Sequence, residues 1–489
     1  MGIYYGDKCV AGAGHVPDIS IRDSDKHWII DGKDTGVSSI GKDGKTAYEY
    51  AKEGGYTGTE EEFSQKLNIE YAPISIQQEL NTFKNEYNDF ADKISNIFEN
   101  QYSYGFIDHM SISAPEKRIE YIGINKEYEP MSINFDNHIA NCGSWNDFPV
   151  LVENKPYMVK SSGEADYPLN PDDYTKKLDG SPSDISNTTY EGGAFAKFPK
   201  VYVKRWVQGD DRYVKFSFIP LPGFHASGFI DSNNTEMDHV WIPMFYGSTV
   251  EGKMKCISGL KQDANTTIDS DYKAITAFSD RAAFFGGPII ETIRDMLYML
   301  FKTTNIKEAC GYGNASCYKT PIANSVINGG AFYGTKDACS LNKIFHSIVL
   351  GSYQGHQRDP YYLLVGGKFR VSVNYTYDLT GNTYFNTEIF APSGKGTNNV
   401  YPSRCSVIEK FGSVPVEPYN GSKNTGYCDN VLSNIVFWKN IIASRFGYEG
   451  SINSSGYKCG ISCLNLTGGI DGTNHSTSSS VLLRPPAKN

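Results

Sequence analysis

No apolar run in these 489 residues approaches the ~20 needed to cross a bilayer, so no membrane insertion is expected. A basic stripe is missing too. The 46 Lys and Arg face 55 Asp and Glu, the net charge is −9, and the basic residues do not cluster, so nucleic acid is not an expected partner. The opening Met1-Gly2-Ile3-Tyr4-Tyr5-Gly6 has no basic n-region, no apolar h-region and no Ser or Thr at position 6. Neither secretion nor myristoylation is therefore expected, and assembly in a cytoplasm is. The ten cysteines include no CxxC and no Cys/His set at zinc spacing, which favours buried free thiols over a structural metal. His225, His239, His346, His356 and His475 stand alone, with no HExxH and no Ser-His-Asp neighbourhood. No catalytic residue, metal or cofactor is expected.

What is present points to β-structure. Aromatics reach 13%, led by 34 Tyr, and there are 48 Gly. Such a composition suits strands, turns and Tyr-bearing surfaces, and the expected class is α+β and β-rich. At about 150 residues per domain the chain holds roughly three units. Ile19 to Ile21 and Trp28-Ile29-Ile30, followed by Asp31-Gly32, read as short strands with an Asp-Gly turn. Thr46 with Glu49, and Thr59 with Glu62, have capping-box spacing, and Gly54-Gly55 ends the first helix. Phe198 to Trp206 and Arg212 to Phe218 read as a hairpin around Gly209-Asp210-Asp211. Residues 161–190, rich in Ser, Asp, Pro and Asn, read as a long loop or linker. Pro288 opens a helix with an apolar face of Ile289, Ile290, Ile293, Met296, Leu297, Leu300 and Phe301.

The clearest periodicity lies between 74 and 98. Ile76, Leu80, Phe83, Tyr87, Phe90, Ile94 and Ile97 are spaced alternately by four and three. This is a heptad seam, with Leu80, Tyr87 and Ile94 at a and the other four at d. The helix predicted here is ~33 Å long at 1.5 Å per residue. Large aromatic and β-branched side chains at d fit a roomier core than a dimer offers, so a homotrimer is favoured. The alternative is one amphipathic helix packed on its own domain.

Two stretches carry resemblances. Ile30 to Val37, then Gly41 to Glu49 and Gly55 to Phe63, resemble a small module of tail and fibre proteins of phages of Gram-positive bacteria. In the second half, Gly193 to Tyr202, Pro222-Gly223-Phe224, Asp238 to Pro243 and Gly252 to Lys255 are similar to a segment of phage fibre heads. Ala443 to Gly447, Gly456 to Cys459 and Val481 to Pro485 are similar to C-type-lectin-like domains. Those are the domains shared by formylglycine-generating enzymes and the variable proteins of diversity-generating retroelements. Together with the heptad seam, the resemblances imply an N-terminal β attachment segment (1–45), a small two-helix module (46–72), a trimeric coiled coil (73–100), a β-rich neck or upper head (101–189) and a C-type-lectin-like receptor-binding head (190–489).

The implied function is that of a phage tail fibre or receptor-binding protein of the virion. Its N-terminal region would dock to other tail or baseplate proteins, and its head would bind a bacterial surface glycan or protein. Candidate ligand residues combine a flat or hydrogen-bonding side chain with a polar, Gly-rich neighbourhood: Tyr448, Asn453, Tyr457, Asn465, Asn474 and His475, with Tyr375, Tyr377, Asn382 and Tyr384 around a second turn. Trp241 and Trp438 have apolar neighbours and read as core. A tail-borne polysaccharide depolymerase and a purely structural baseplate or tail subunit stay open as alternatives. Trp145-Asn146-Asp147 and Glu417-Pro418 match calcium elements of C-type lectins, but in reversed order and about 270 residues apart, so chance explains them better. Cys459 and Cys463 resemble an active cysteine pair, but the spacing differs and no basic cluster flanks them, so they read as structural.

Overall fold

The computed structural model describes residues 3–5, 8–11, 19–22, 24–30, 32–38, 45–63, 73–137, 139–260, 263, 265–310, 342–348, 356–365, 368–377, 385–390, 404–416, 430–431, 441–446, 460–465 and 477–487. Strand exceeds helix, so the fold is mixed α and β and β-rich. The chain forms two compact units, Met1–Ile94 and Ser95–Asn489.

In the first unit Ile19–Ile21, His27–Ile30 and Lys33–Ser38 make an antiparallel sheet. Ile30 pairs with Lys33, and Gly32 ahead of Lys33 takes φ 74°. Both capping boxes form. Thr46 Oγ1 accepts from the Glu49 amide at 3.3 Å while the Glu49 carboxylate accepts from the Thr46 amide at 2.6 Å, opening the helix Ala47–Glu53. Thr59 and Glu62 repeat this at 3.2 and 2.8 Å. Tyr48, Tyr56 and Phe63 then pack ring to ring at 5.4–6.3 Å, so three aromatics serve a module too small for a larger core. The predicted long helix is present from Pro73 to Tyr102, and its last two turns belong to the second unit.

Among its described residues the second unit carries three larger sheets. A four-stranded antiparallel sheet runs in the order Tyr202–Gln208, Asp211–Ser217, Ser103–His109, Ile119–Gly123. A seven-stranded one runs Asp173–Lys177, Ala165–Asn170, Pro156–Val159, Gly193–Pro199, His239–Pro243, Val481–Leu483, Ala282–Phe284. The third is built around His356–Val365 and Ile441–Phe446. Strands of 101–189, the stretch expected to be a neck or upper head, share two of these sheets with strands of 190–489.

Two local readings are corrected. Residues 161–190 are not a loop; they contain the hairpin Ala165–Asn170 with Asp173–Lys177. Short polar side chains order it. Asp173, Asp179 and Asn187 each accept from a backbone amide two residues on, and Tyr167 donates to Asp184 at 2.8 Å. Residues 198–206 are not one strand either. Gly193–Pro199 and Tyr202–Gln208 belong to different sheets, and the chain turns where Pro199 has no amide to give a ladder and Lys200 donates to the Asp238 carbonyl at 2.8 Å. The hairpin Tyr202–Gln208 with Asp211–Ser217 stands as read, with Gly209 at φ 61° in its turn.

The helix Pro288–Phe301 is buried on every side, not on one face. Its apolar residues join the main core, and its polar ones meet a charged layer inside the molecule. Arg205 and Arg212 occupy inward positions of the four-stranded sheet, where alternation would place Val or Phe. Arg205 Nε donates to Asp295 at 2.8 Å, and Arg212 Nη1 donates to the other oxygen of Asp295 at 2.6 Å. Arg212 Nη1 also reaches Ser413 Oγ at 2.9 Å. Arg118 Nε donates to Asp108 at 2.7 Å, and Arg294 pairs with Glu291.

Cys256, Cys310 and Cys405 are buried and Cys142 is half-buried. Burial pushes the Cys256 thiol up to about 12, so almost none of it is thiolate near neutrality. Iodoacetamide at pH 8 should leave Cys256 unmodified in the native protein and alkylate it in urea. Peptide mass spectrometry checks this, and rapid native alkylation would show that the site opens.

Candidate functional site

The seam is the first candidate. Phe83, Phe90 and Ile97 follow one another at seven-residue intervals on the long helix and are 65%, 63% and 52% exposed. Isolated exposed apolar residues are ordinary on a surface. Three in heptad register on one helix are what a partner helix covers. Ile76, Leu80, Tyr87 and Ile94 lie on the same helix, and their side chains lie outside the described residues.

The expected ligand residues divide. Tyr448, Asn453, Tyr457, Asn474 and His475, with Asn382 and Tyr384, lie outside the described residues, as do Trp438, Glu417, Pro418 and Cys459. Asn465 ends the strand Gly460–Asn465. Tyr375 is not a surface residue. It is in the core, at φ 59°, and its hydroxyl donates to the Gly228 carbonyl at 2.8 Å. Its sequence neighbours are polar, but the partner that buries it is 147 residues away. Tyr377 is half-buried. Its ring sits 4.7 Å from Tyr272 and 5.5 Å from Phe284, and its hydroxyl donates to Asp269 at 3.0 Å. Trp145 is fully buried among Tyr104, Tyr121, Tyr128 and Phe148, while Asn146 and Asp147 of the same triplet are exposed. His225 is bound to Glu409 at 2.9 Å and the buried His346 to Tyr174 at 2.6 Å.

A cleft of about 490 Å³ opens on the seven-stranded sheet. The strand register places Tyr157, Lys197, His239 and Trp241 on one face of three adjacent strands, and Glu164 and Pro486 line it too. The Trp241 indole N–H donates to the Gly163 carbonyl at 2.8 Å, and Tyr157 and His239 meet that indole edge-on at 5.4 and 4.8 Å. Gly163 is required here, at φ 84°, because a Cβ would strike the Arg484 carbonyl. The lining includes a single carboxylate, Glu164. Aromatic walls with scattered polar groups suit binding, whereas glycoside hydrolysis uses two carboxylates ~5–9 Å apart.

Two charged clusters carry no site. Asp25, His27 and Asp34 lie close enough to hold a metal, but Arg22 already pairs with both carboxylates, and its hydrogen bond holds Asp25 down to about 2. The Asp108, Arg118, Arg205, Arg212, Asp295 layer is sealed from solvent and so holds the fold together. Sequence reading missed that layer. Its signal was charged residues at inward strand positions and inside an otherwise apolar helix. In comparisons with known proteins, the chain matches no protein-family model and no curated protein.

Proposed function

We propose that this chain is a homotrimeric attachment subunit of a bacteriophage tail. The N-terminal unit docks to other tail or baseplate proteins, the long helix trimerises, and a C-type-lectin-like head binds a bacterial surface glycan or protein. The observation that carries the reading is the open heptad face of Phe83, Phe90 and Ile97 on a 30-residue helix. A monomer gains nothing from displaying that row, and a parallel bundle buries it. The β-rich second unit and the fibre-like motifs support the head.

The test is adsorption. Fluorescent full-length protein should bind cells of a susceptible strain within a Gram-positive panel. Alanine at Tyr448, Tyr457 and Asn474 together should abolish binding with the melting curve unchanged, since hot spots lose roughly 30-fold or more in affinity each. Normal adsorption by the triple variant would remove those residues from the site. Release of reducing ends from cell-wall or capsular polysaccharide would instead favour the depolymerase alternative.

A further inference from the structure

The cleft on the seven-stranded sheet has a fixed floor and a fixed rim. Its floor is Trp241, which is buried and anchored through its indole N–H to the Gly163 carbonyl. Tyr157 and His239 are half-buried and meet that indole edge-on. Residues 160–164 form part of the rim as a closed turn. The Lys160 amide donates to the Glu164 carbonyl and the Gly163 amide to the Lys160 carbonyl, each at 2.9 Å, which sets Glu164 beside the cleft. Lys197 comes from the strand between those of Tyr157 and Trp241, and its ammonium donates to Glu153 at 3.0 Å. An ammonium carries three donors, so that bond leaves others for a ligand. The Tyr157 hydroxyl and the Glu164 carboxylate meet no hydrogen-bond partner among the described residues.

We infer that this cleft binds one neutral pyranose ring of a saccharide. Its carbon surface is mainly aromatic, and no Leu, Ile or Val is among the described residues that line it. The face of an aromatic ring is electronegative, so it attracts the polarised C–H groups of a sugar ring. Each sugar hydroxyl both donates and accepts. The rim offers the acceptor-only Glu164, the donor-only Lys197 and the Tyr157 hydroxyl, which does both. Bonds to the two charged groups are of the stronger kind. Charge selects against acids, because Glu153 already offsets Lys197 while the Glu164 carboxylate stands uncancelled and repels a uronate or a phosphate. A volume of about 490 Å³ falls within the range of small-ligand sites. The Trp241 anchor and the closed turn hold these groups in place before a ligand arrives, so binding orders little. The inference rests on side chains of the second unit alone and uses none of the loop residues of the proposed function.

The test uses full-length protein and the methyl glycosides of glucose, galactose, mannose and N-acetylglucosamine, titrated by saturation-transfer NMR. At least one should bind with a dissociation constant on the order of millimolar, as a ligand of about a dozen non-hydrogen atoms does. Tyr157→Ala should weaken that glycoside roughly 10-fold or more through loss of the stacking ring. Glu164→Gln alters only an exposed carboxylate, so it keeps the native fold, and it should also weaken binding roughly 10-fold. Tyr272→Ala, at a 40% exposed ring outside the cleft lining, should leave binding unchanged. Methyl glucuronide, which carries a carboxylate, should bind more weakly than the best neutral glycoside. Binding by none of the four overturns the inference, as does binding that survives both Tyr157→Ala and Glu164→Gln. Equal binding of the glucuronide overturns the neutral class.

Discussion

Asp in place of Phe83 and Phe90 should convert the protein from a trimer to a monomer. Both positions are d sites of the seam, so a trimer of the variant would carry six carboxylates facing its own axis. Burying an ion without a partner costs several kcal/mol, far above what a few apolar layers return. Light scattering on wild type should give three times 54.2 kDa, and the variant should give 54.2 kDa once. The second unit should stay folded, because its core is its own and begins beyond the substituted positions. A variant that remains a trimer, or a wild type that is monomeric at micromolar concentration, would falsify the seam.

Asp295→Ala should destabilise the second unit by about 3–5 kcal/mol, the usual cost of stripping one partner from a buried ion pair. The loss would leave the buried guanidinium of Arg205 without its carboxylate and take from Arg212 the nearer of its two, Asp108 remaining at 3.4 Å. Burial alone would push the Asp295 carboxyl up, but Arg212, Arg205 and Arg294 outweigh it and hold it well below the ordinary range. Burial pulls Arg205 down as well, yet a guanidinium stays charged at any ordinary pH, so it is the carboxyl that titrates. The sign follows. A depressed carboxyl contributes stability that is fully present above its unfolded value, about 3.9, and is lost as pH falls toward the folded one. Urea midpoints for the wild type should therefore drop steeply below about pH 4. In Asp295→Asn that contribution is gone at every pH, and the variant should start lower and fall less. Parallel midpoint curves for the two proteins would remove Asp295 from the acid response.

The sequence by itself determined what depends on near neighbours. The Asp31-Gly32 turn, the Thr46 and Thr59 capping boxes and the long helix were legible because the groups that stabilise each lie within about seven residues of one another. The heptad row is legible for the same reason, since helix geometry alone sets which side chains share a face. The Pro288 helix was found by its period, but its full burial was not, because periodicity does not count the neighbours that will cover a polar side. Only the tertiary structure decided the rest. It decided that Arg212 bonds Ser413, 201 residues away, and that Tyr375 is enclosed by a segment 147 residues upstream. It turned 161–190 from a polar stretch into two strands, and it paired strands of 101–189 with strands of 190–489 distant in the chain. Each of these is a choice of long-range partner, made by burying apolar area and pairing buried charge, and no local pattern records which distant partner prevails.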